Sequence, residues 1–179
     1  MKVCVLGLWH LGSVTAACLA SGGHHVMGLD FDEQVIANLG KGQPPLFEPG
    51  LEELVSKSIS EKKLGFTTDI KKAVSGAKVI WVTYDTPVDE DDRADVDFVI
   101  ERVSRLFPEL EAGQQILISS QLPVGSARRL ETMLEESRPN LGVSFSCSPE
   151  NLRLGKAISV FTEPDRVVIG VRNEESKKV

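Results

Sequence analysis

A short apolar run near the N-terminus passes into a glycine-containing turn and then into a run of small residues. The apolar run is Val3-Cys4-Val5-Leu6, the turn is Gly7-Leu8-Trp9-His10-Leu11-Gly12, and the small residues are 13–20. This order predicts a strand, a tight turn and a helix. In a βαβ unit that binds a dinucleotide, such a junction places helix N–H groups against a pyrophosphate. The sequence therefore predicts a nucleotide site at this turn, formed by Gly7, Trp9, His10, Leu11 and Gly12.

Trp9 is the unusual residue of this turn. The usual pattern is G-x-G-x-x-G, and its middle glycine lets the backbone approach the phosphates closely. Trp9 stands at that position. The indole either swings aside or fills the space of the pyrophosphate, and the sequence leaves both outcomes open. His10 adds a candidate cation at the turn, although we favour a position facing solvent for its side chain.

An acidic residue, Asp30, ends the second predicted strand. It follows the turn at close to the spacing of about 20 residues at which an acidic side chain meets the adenosine ribose. A carboxylate accepts hydrogen bonds from both ribose hydroxyls and repels a 2′-phosphate, so NAD is favoured over NADP. The alternative is that Asp30 caps the helix that starts near Asp32, but Asp32 and Glu33 can supply that capping themselves.

Strands and helices alternate along the rest of the chain. This alternation predicts an α/β fold with a doubly wound, mostly parallel sheet, that is, a Rossmann-like domain. We expect the domain to cover residues 1–172, with 173–179 as a polar tail that starts a linker. The predicted strands are 2–6, 25–29, 64–67, 78–83, 115–119, 143–147 and 166–171, and the predicted helices are 11–21, 32–39, one starting near Gly50, 69–74, 96–107 and 126–137.

Composition narrows the class of protein. A length of 179 residues with 41% apolar and 26% charged residues suits one soluble domain. The net charge of −6 argues against binding to nucleic acid or to an anionic membrane. The apolar runs are too short for a membrane span, and a signal-peptide pattern is missing, so we expect a cytoplasmic protein. Cys4 and Cys18 fall inside predicted elements and are expected to behave as small core residues.

The loop after the fourth strand contains Thr86 and, from Asp89 to Asp95, several acidic residues. In a doubly wound sheet this loop faces the ligand crevice, where Thr86 is placed to hydrogen-bond a cofactor. The acidic residues lack the spacing and the glycine of a calcium loop. We interpret them as a solvated loop and expect no metal site.

Several further motifs occur in order along the chain. Apart from the glycine turn, these motifs are Asp30-Phe31-Asp32, Phe47-Glu48-Pro49-Gly50-Leu51-Glu52-Glu53-Leu54, Phe66-Thr67-Thr68-Asp69, Thr86-Pro87, Leu122-Pro123-Val124-Gly125, Ser148-Pro149-Glu150-Asn151-Leu152-Arg153 and Pro164-Asp165-Arg166-Val167-Val168-Ile169-Gly170. Together with the turn, they resemble the N-terminal domain of the UDP-glucose/GDP-mannose dehydrogenases, most closely the UDP-glucose type.

The resemblance implies an enzyme that oxidises a nucleotide sugar at C6 from the alcohol to the uronic acid, using two NAD molecules in succession. A cysteine thioester links the two steps, and a carboxylate of the N-terminal domain assists its hydrolysis. By motif position that carboxylate is Glu150. The alternative is that Glu150 caps a helical turn over residues 149–152. The segment Glu150, Asn151, Leu152 and Arg153 is expected to contact the substrate.

The family's nucleophilic cysteine lies in later segments that have no counterpart in these residues. The resemblance therefore implies a cofactor domain that is not competent alone and that forms a homodimer in a full-length enzyme. Gln121 stands where a threonine near the nicotinamide and the catalytic water is usual, and we assign it to both the catalytic and the cofactor site. Leu154 replaces a glutamate and Asp85 a glycine. These departures leave an alternative function open, a scaffold or assembly module with lost or altered nucleotide binding.

Overall fold

Strands and helices largely alternate along the described part of the chain, and the seven strands and six of the seven α-helices found there were predicted from the sequence. The computed structural model describes residues 1–91 and 93–172. The strands are β1 (Lys2–Leu6), β2 (His25–Leu29), β3 (Leu64–Thr67), β4 (Val79–Val82), β5 (Gln115–Ile118), β6 (Ser144–Cys147) and β7 (Gly170–Val171). The helices are α1 (His10–Ser21), α2 (Glu33–Leu39), α3 (Leu51–Ser60), α4 (Ile70–Val74), α5 (Val96–Ser104), α6 (Ser126–Ser137) and α7 (Ala157–Thr162), with a 3-10 helix at Phe107–Glu109.

The strands form one sheet in the order β3-β2-β1-β4-β5-β6-β7. All neighbouring strands are parallel except β6 and β7, which are antiparallel. From the middle of the sheet, the chain first runs from β1 to β3 at one edge. It then returns to β4 beside β1 and runs to β7 at the other edge. The fold class is therefore confirmed as doubly wound, and the switch in direction lies between β1 and β4. In such sheets the ligand crevice opens at the carboxyl ends of these two strands.

Apolar side chains cover both faces of the sheet. One cluster contains Leu6 and Ile80 from the strands with Val99 and Leu130 from α5 and α6. The second cluster packs residues of α1, α3 and α7 against the opposite face. Burial on both faces explains why the central strands are continuous apolar runs. Cys4 and Cys18 lie in these clusters, 0% and 5% exposed, which confirms their prediction as core residues.

Two predicted elements are shorter in the structure by three or more residues. The helix predicted for residues 96–107 ends at Ser104, and Pro108 lies within the following 3-10 helix. The strand predicted for residues 166–171 is reduced to β7, whose two residues pair with Ser146 and Cys147 at the sheet edge. The apolar run Val167-Val168-Ile169 is typical of a strand, but these side chains are 52% to 68% exposed. Helix α7 was not predicted.

Two further predictions concern the C-terminal tail and membrane-spanning segments. The polar tail predicted for residues 173–179 lies outside the described residues. Within residues 1–91 and 93–172, no helix combines the length and the apolar character that crossing a membrane requires.

Candidate functional site

The glycine turn connects β1 to α1 at the switch point of the sheet. Gly7 has a positive φ of 91°, which favours glycine. A Cβ atom at Gly7 would lie 2.7 Å from Cδ1 of Tyr84, and a Cβ atom at Gly12 would overlap the carbonyl oxygen of Gly7. Both glycines are therefore required by close contacts inside the turn, and together they allow the N-terminus of α1 to follow directly on β1.

Thr83, the residue after β4, holds this turn, and its role was not predicted from the sequence. Its hydroxyl lies within hydrogen-bond distance of the carbonyl oxygens of Leu6, at 3.0 Å, and Gly7, at 2.7 Å. The residue is fully buried. Thr83 follows directly on β4, the parallel neighbour of β1, so its contact with the turn depends on this pairing of strands.

Asp30 lies beside the turn and contacts it through its carboxylate. Oδ2 accepts a hydrogen bond from the amide of Leu8 at 2.7 Å, and Oδ1 accepts one from the amide of Asp32 at 3.1 Å. A carboxylate has about four lone-pair sites, so acceptor capacity remains for a hydroxyl ligand. The N-cap of α2 is Asp32, which accepts hydrogen bonds from the amides of Gln34 and Val35. The alternative that Asp30 caps this helix is therefore wrong.

Trp9 is the N-cap residue of α1, and its side chain makes no capping hydrogen bond. The amides of His10, Leu11 and Gly12 thus form an uncapped first turn of the helix, which suits an anion. Trp9 is 47% exposed. Its side chain is therefore not packed into the turn itself. The residues of the turn fit a dinucleotide, because the glycine contacts, the uncapped helix N-terminus and the nearby carboxylate are all present.

A cavity of about 640 Å³ opens next to the turn. It combines aromatic, acidic and cationic side chains, so it offers stacking surfaces and hydrogen-bond partners in one place. Its walls include Trp9, Asp30, Phe31, Tyr84, Asp85, Phe98 and Arg102. The guanidinium carbon of Arg102 lies 3.4 Å from the centre of the Phe98 ring, which fixes this wall through a cation–π contact.

His10 does not face solvent, which corrects the sequence expectation. Its side chain is only 14% exposed, and Nε2 lies 3.1 Å from Oε2 of Glu48. Glu48 is a buried carboxylate for which no site role was predicted from the sequence. It also accepts hydrogen bonds from the amides of Gly155, at 2.8 Å, and Ala157, at 2.9 Å. Burial acts to raise the pKa of Glu48, but the hydrogen bonds from Gly155, His10 and Ala157 outweigh it and lower the pKa.

The segment that contains Glu150 borders a second cavity of about 820 Å³. Glu150, Asn151, Leu152 and Arg153 line one side, and Leu11, Thr15 and Leu19 of α1 line another. Glu150 is half-buried, and its carboxylate accepts a hydrogen bond from the amide of Leu152. Residues 148–153 follow an irregular path, so this contact closes a local turn rather than capping a helical one.

Thr86 and Gln121 contact each other at the carboxyl edge of the sheet. The hydroxyl of Thr86 donates a hydrogen bond to the backbone carbonyl of Gln121 at 2.7 Å. Their loops follow β4 and β5, which are parallel neighbours. In the described part of the chain, neither side chain belongs to the walls of the two cavities. The structure therefore brings Gly7, Gly12, Trp9 and Asp30 together, and places Thr86 with Gln121 as a separate pair.

A switch point with a glycine turn after β1 and a carboxylate after β2 defines the class of dinucleotide-binding domains. The whole chain, residues 1–179, matches the model of the UDP-glucose/GDP-mannose dehydrogenase family, NAD binding domain. The chain therefore belongs to this family, as its motifs predict, and the cofactor of the family domain is NAD.

Individual relatives support the same assignment. The UDP-glucose 6-dehydrogenase of Rhizobium meliloti is 36% identical over 178 residues, which cover 99% of this chain and 41% of that protein. The crystal structure of a ternary complex of GDP-mannose dehydrogenase from Pseudomonas aeruginosa superimposes with a TM-score of 0.93 at 25% identity, covering 99% of this chain and 42% of that one. A UDP-glucose dehydrogenase from Pyrobaculum islandicum gives a TM-score of 0.90 at 28% identity, covering 99% and 42%. The chain thus spans less than half the length of these relatives.

Proposed function

We propose that this chain is the cofactor-binding part of an enzyme that oxidises a nucleotide sugar, of the UDP-glucose type, at C6. When bound, NAD would accept the hydride that leaves the substrate. The residues proposed to hold it are Gly7, Trp9, His10, Leu11, Gly12 and Asp30, with Thr86 and Gln121 toward the nicotinamide end. The α1 N-terminus stabilises the pyrophosphate charge, and Asp30 accepts from the ribose hydroxyls.

The observation that supports this proposal most strongly is the contact between Asp30 and the turn. The carboxylate that receives the ribose is held by the amide of Leu8 at 2.7 Å, so the ribose and pyrophosphate positions are fixed relative to one another. A cavity of about 640 Å³ begins at this carboxylate. Positions fixed before binding reduce the entropy lost when a flexible dinucleotide binds.

Glu150 is the proposed general base. It borders the larger cavity, and a carboxylate there can accept a proton from a water molecule that attacks a bound intermediate. Its turn with Leu152 orients the carboxylate, while Asn151, Leu152 and Arg153 are proposed to contact the sugar nucleotide. Gln121 is proposed to orient the water or the nicotinamide through its side-chain amide. The relatives' names support the substrate class, and we extend it to this chain as part of the proposal.

Glu150 is tested by Glu150→Gln in a protein of the full length of its relatives. The amide preserves the shape of the side chain but accepts no proton, so turnover to the uronic acid is expected to fall by about 100-fold or more. The first hydride transfer, followed as a single-turnover burst of NADH, is expected to survive. Unchanged steady-state turnover would contradict the role of Glu150.

The second candidate function is a scaffold or assembly module with lost or altered nucleotide binding, and the observation that favours it is that Trp9 stands where the turn usually has its middle glycine. Calorimetric titration of the chain with NAD separates the two functions. Binding by the wild-type chain supports the dehydrogenase domain. A lack of heat at millimolar NAD, with binding restored in Trp9→Gly, would support the scaffold.

A further inference from the structure

The hydroxyl of Tyr84 is buried without a hydrogen-bond partner among residues 1–91 and 93–172. Buried polar groups are nearly always paired, because an unpaired one loses its bonds to water and receives none in return. Tyr84 is 8% exposed as a residue, so solvent reaches little of its side chain. A group of this kind points to a ligand.

The ring of Tyr84 is held in place on several sides. A Cβ atom at Gly7 would lie 2.7 Å from the ring, so the ring packs against the backbone of the glycine turn. The Phe98 ring meets it edge-on, with 5.7 Å between the ring centres. The phenolic oxygen lies in the plane of its ring and moves only with it. Because these contacts fix the ring, the hydroxyl oxygen has a fixed position.

Tyr84 also lines the cavity that contains Asp30 and Trp9. Two other buried hydroxyl oxygens, of Thr15 and Ser120, lack a partner within the described ranges. Each is carried on a short aliphatic side chain that can turn toward a nearby backbone carbonyl by rotation about χ1. Tyr84 differs because its ring is fixed and lines the same cavity as Asp30, the residue proposed to receive the ribose.

We propose that Tyr84 is a binding residue for the adenosine half of NAD, and that its hydroxyl donates a hydrogen bond to the ribose or to the adjoining phosphate. This inference rests on the proposed binding of NAD to the turn. Burial, followed by the nearby charge of Asp30, raises the pKa of Tyr84 above its ordinary value of 10.0. The phenol therefore keeps its proton at neutral pH and acts as a donor.

The test is calorimetric titration of wild-type chain and Tyr84→Phe with NAD and with ADP-ribose. Removing one hydrogen bond is expected to raise the Kd for both ligands by about 5- to 20-fold. The melting temperature without ligand is expected to be unchanged or higher, because the variant no longer buries an unpaired hydroxyl. Ser137→Ala removes a hydroxyl that donates to the carbonyl of Leu134 near the end of α6. This control is expected to leave the Kd unchanged.

The chain has one tyrosine, so a ¹³Cζ-tyrosine label gives a single NMR signal. That signal is expected to shift when NAD is added. Equal Kd values for wild type and Tyr84→Phe would overturn the inference and leave the proposed function intact, and so would a lower melting temperature of the variant with unchanged affinity. A wild-type chain that binds neither NAD nor ADP-ribose would instead overturn the proposed function together with this inference.

Discussion

The carboxylate of Glu48 accepts a hydrogen bond from Nε2 of His10 at 3.1 Å, and this contact joins the two halves of the candidate site. His10 is the first residue of α1 and belongs to the glycine turn. Through its other hydrogen bonds Glu48 holds the amides of Gly155 and Ala157, just after the segment that contains Glu150. The cofactor turn and the proposed substrate segment are therefore tied to one buried carboxylate.

Replacement of Glu48 by glutamine is expected to destabilise the fold by about 2 kcal/mol at neutral pH, because the amide accepts fewer of these hydrogen bonds. The folded-state pKa of Glu48 is lowered from 4.5, so its contribution is present above that pH. It is lost as the pH falls through the lower folded value. Urea unfolding between pH 7 and pH 3 should therefore show wild type and Glu48→Gln converging in acid.

The control for this experiment is Glu61→Gln. Glu61 also has a lowered pKa, caused first by the hydrogen bond from Lys63. That pair is at the surface, where solvent screens it, so the variant should differ much less from wild type. A difference between wild type and Glu48→Gln that does not change with pH would contradict the charged, hydrogen-bonded state of Glu48.

Gly12→Ala is expected to destabilise the fold by about 3 kcal/mol, because the added methyl group overlaps the carbonyl oxygen of Gly7 and comes within 2.7 Å of the Thr83 hydroxyl. Gly22→Ala is the matched control at the other end of α1. Its Cβ would lie 3.4 Å from the carbonyl oxygens of Cys18 and Leu19, and its φ of −71° suits alanine. Chemical denaturation measures the free energy of unfolding of both variants. Similar losses of stability in the two would argue against the close contact inside the turn.

Asp30→Ala is expected to weaken NAD binding by about 10- to 100-fold, since hydrogen bonds to a charged group contribute about 1.5–3 kcal/mol. The preference for NAD over NADP should also shrink, because the carboxylate no longer repels the 2′-phosphate. Asp32→Ala removes the cap of α2 instead and should cost about 1 kcal/mol of stability without changing that preference. Titration of both variants with both cofactors checks this, and an unchanged NAD/NADP ratio in Asp30→Ala would exclude Asp30 from the ribose site.

The strands around the turn were predictable because each is marked by a pattern within its own short segment of the sequence. Apolar runs ended by Gly7 and Asp30 determine where β1 and β2 stop and where a ligand crevice opens. The position of Thr83 follows only when β4 is known to pair with β1, and that pairing is a property of the sheet rather than of any short segment.

Helix α7 shows what sequence patterns miss. Its residues, Ala157–Thr162, include a valine, an isoleucine and a phenylalanine, which are more typical of strands. The helix starts where Glu48, remote in sequence, accepts a hydrogen bond from the amide of Ala157, and Phe161 packs against Trp81 with 5.8 Å between ring centres. These tertiary contacts override local propensity. Another hydrogen bond of Glu48, with Nε2 of His10, explains why His10 is buried rather than facing solvent.

The central claim is that NAD binds at the glycine turn beside Trp9, and tryptophan fluorescence tests it most directly. The chain has two tryptophans. Trp9 is 47% exposed at the turn. Trp81 is half-buried, and its Nε1 donates to the hydroxyl of Ser119 at 2.9 Å. With excitation at about 295 nm, NAD is expected to quench emission of the wild type and of Trp81→Phe in a saturable manner. Emission of Trp9→Phe should stay nearly constant. Quenching that persists in Trp9→Phe, or that is absent from wild type at millimolar NAD, would contradict the claim.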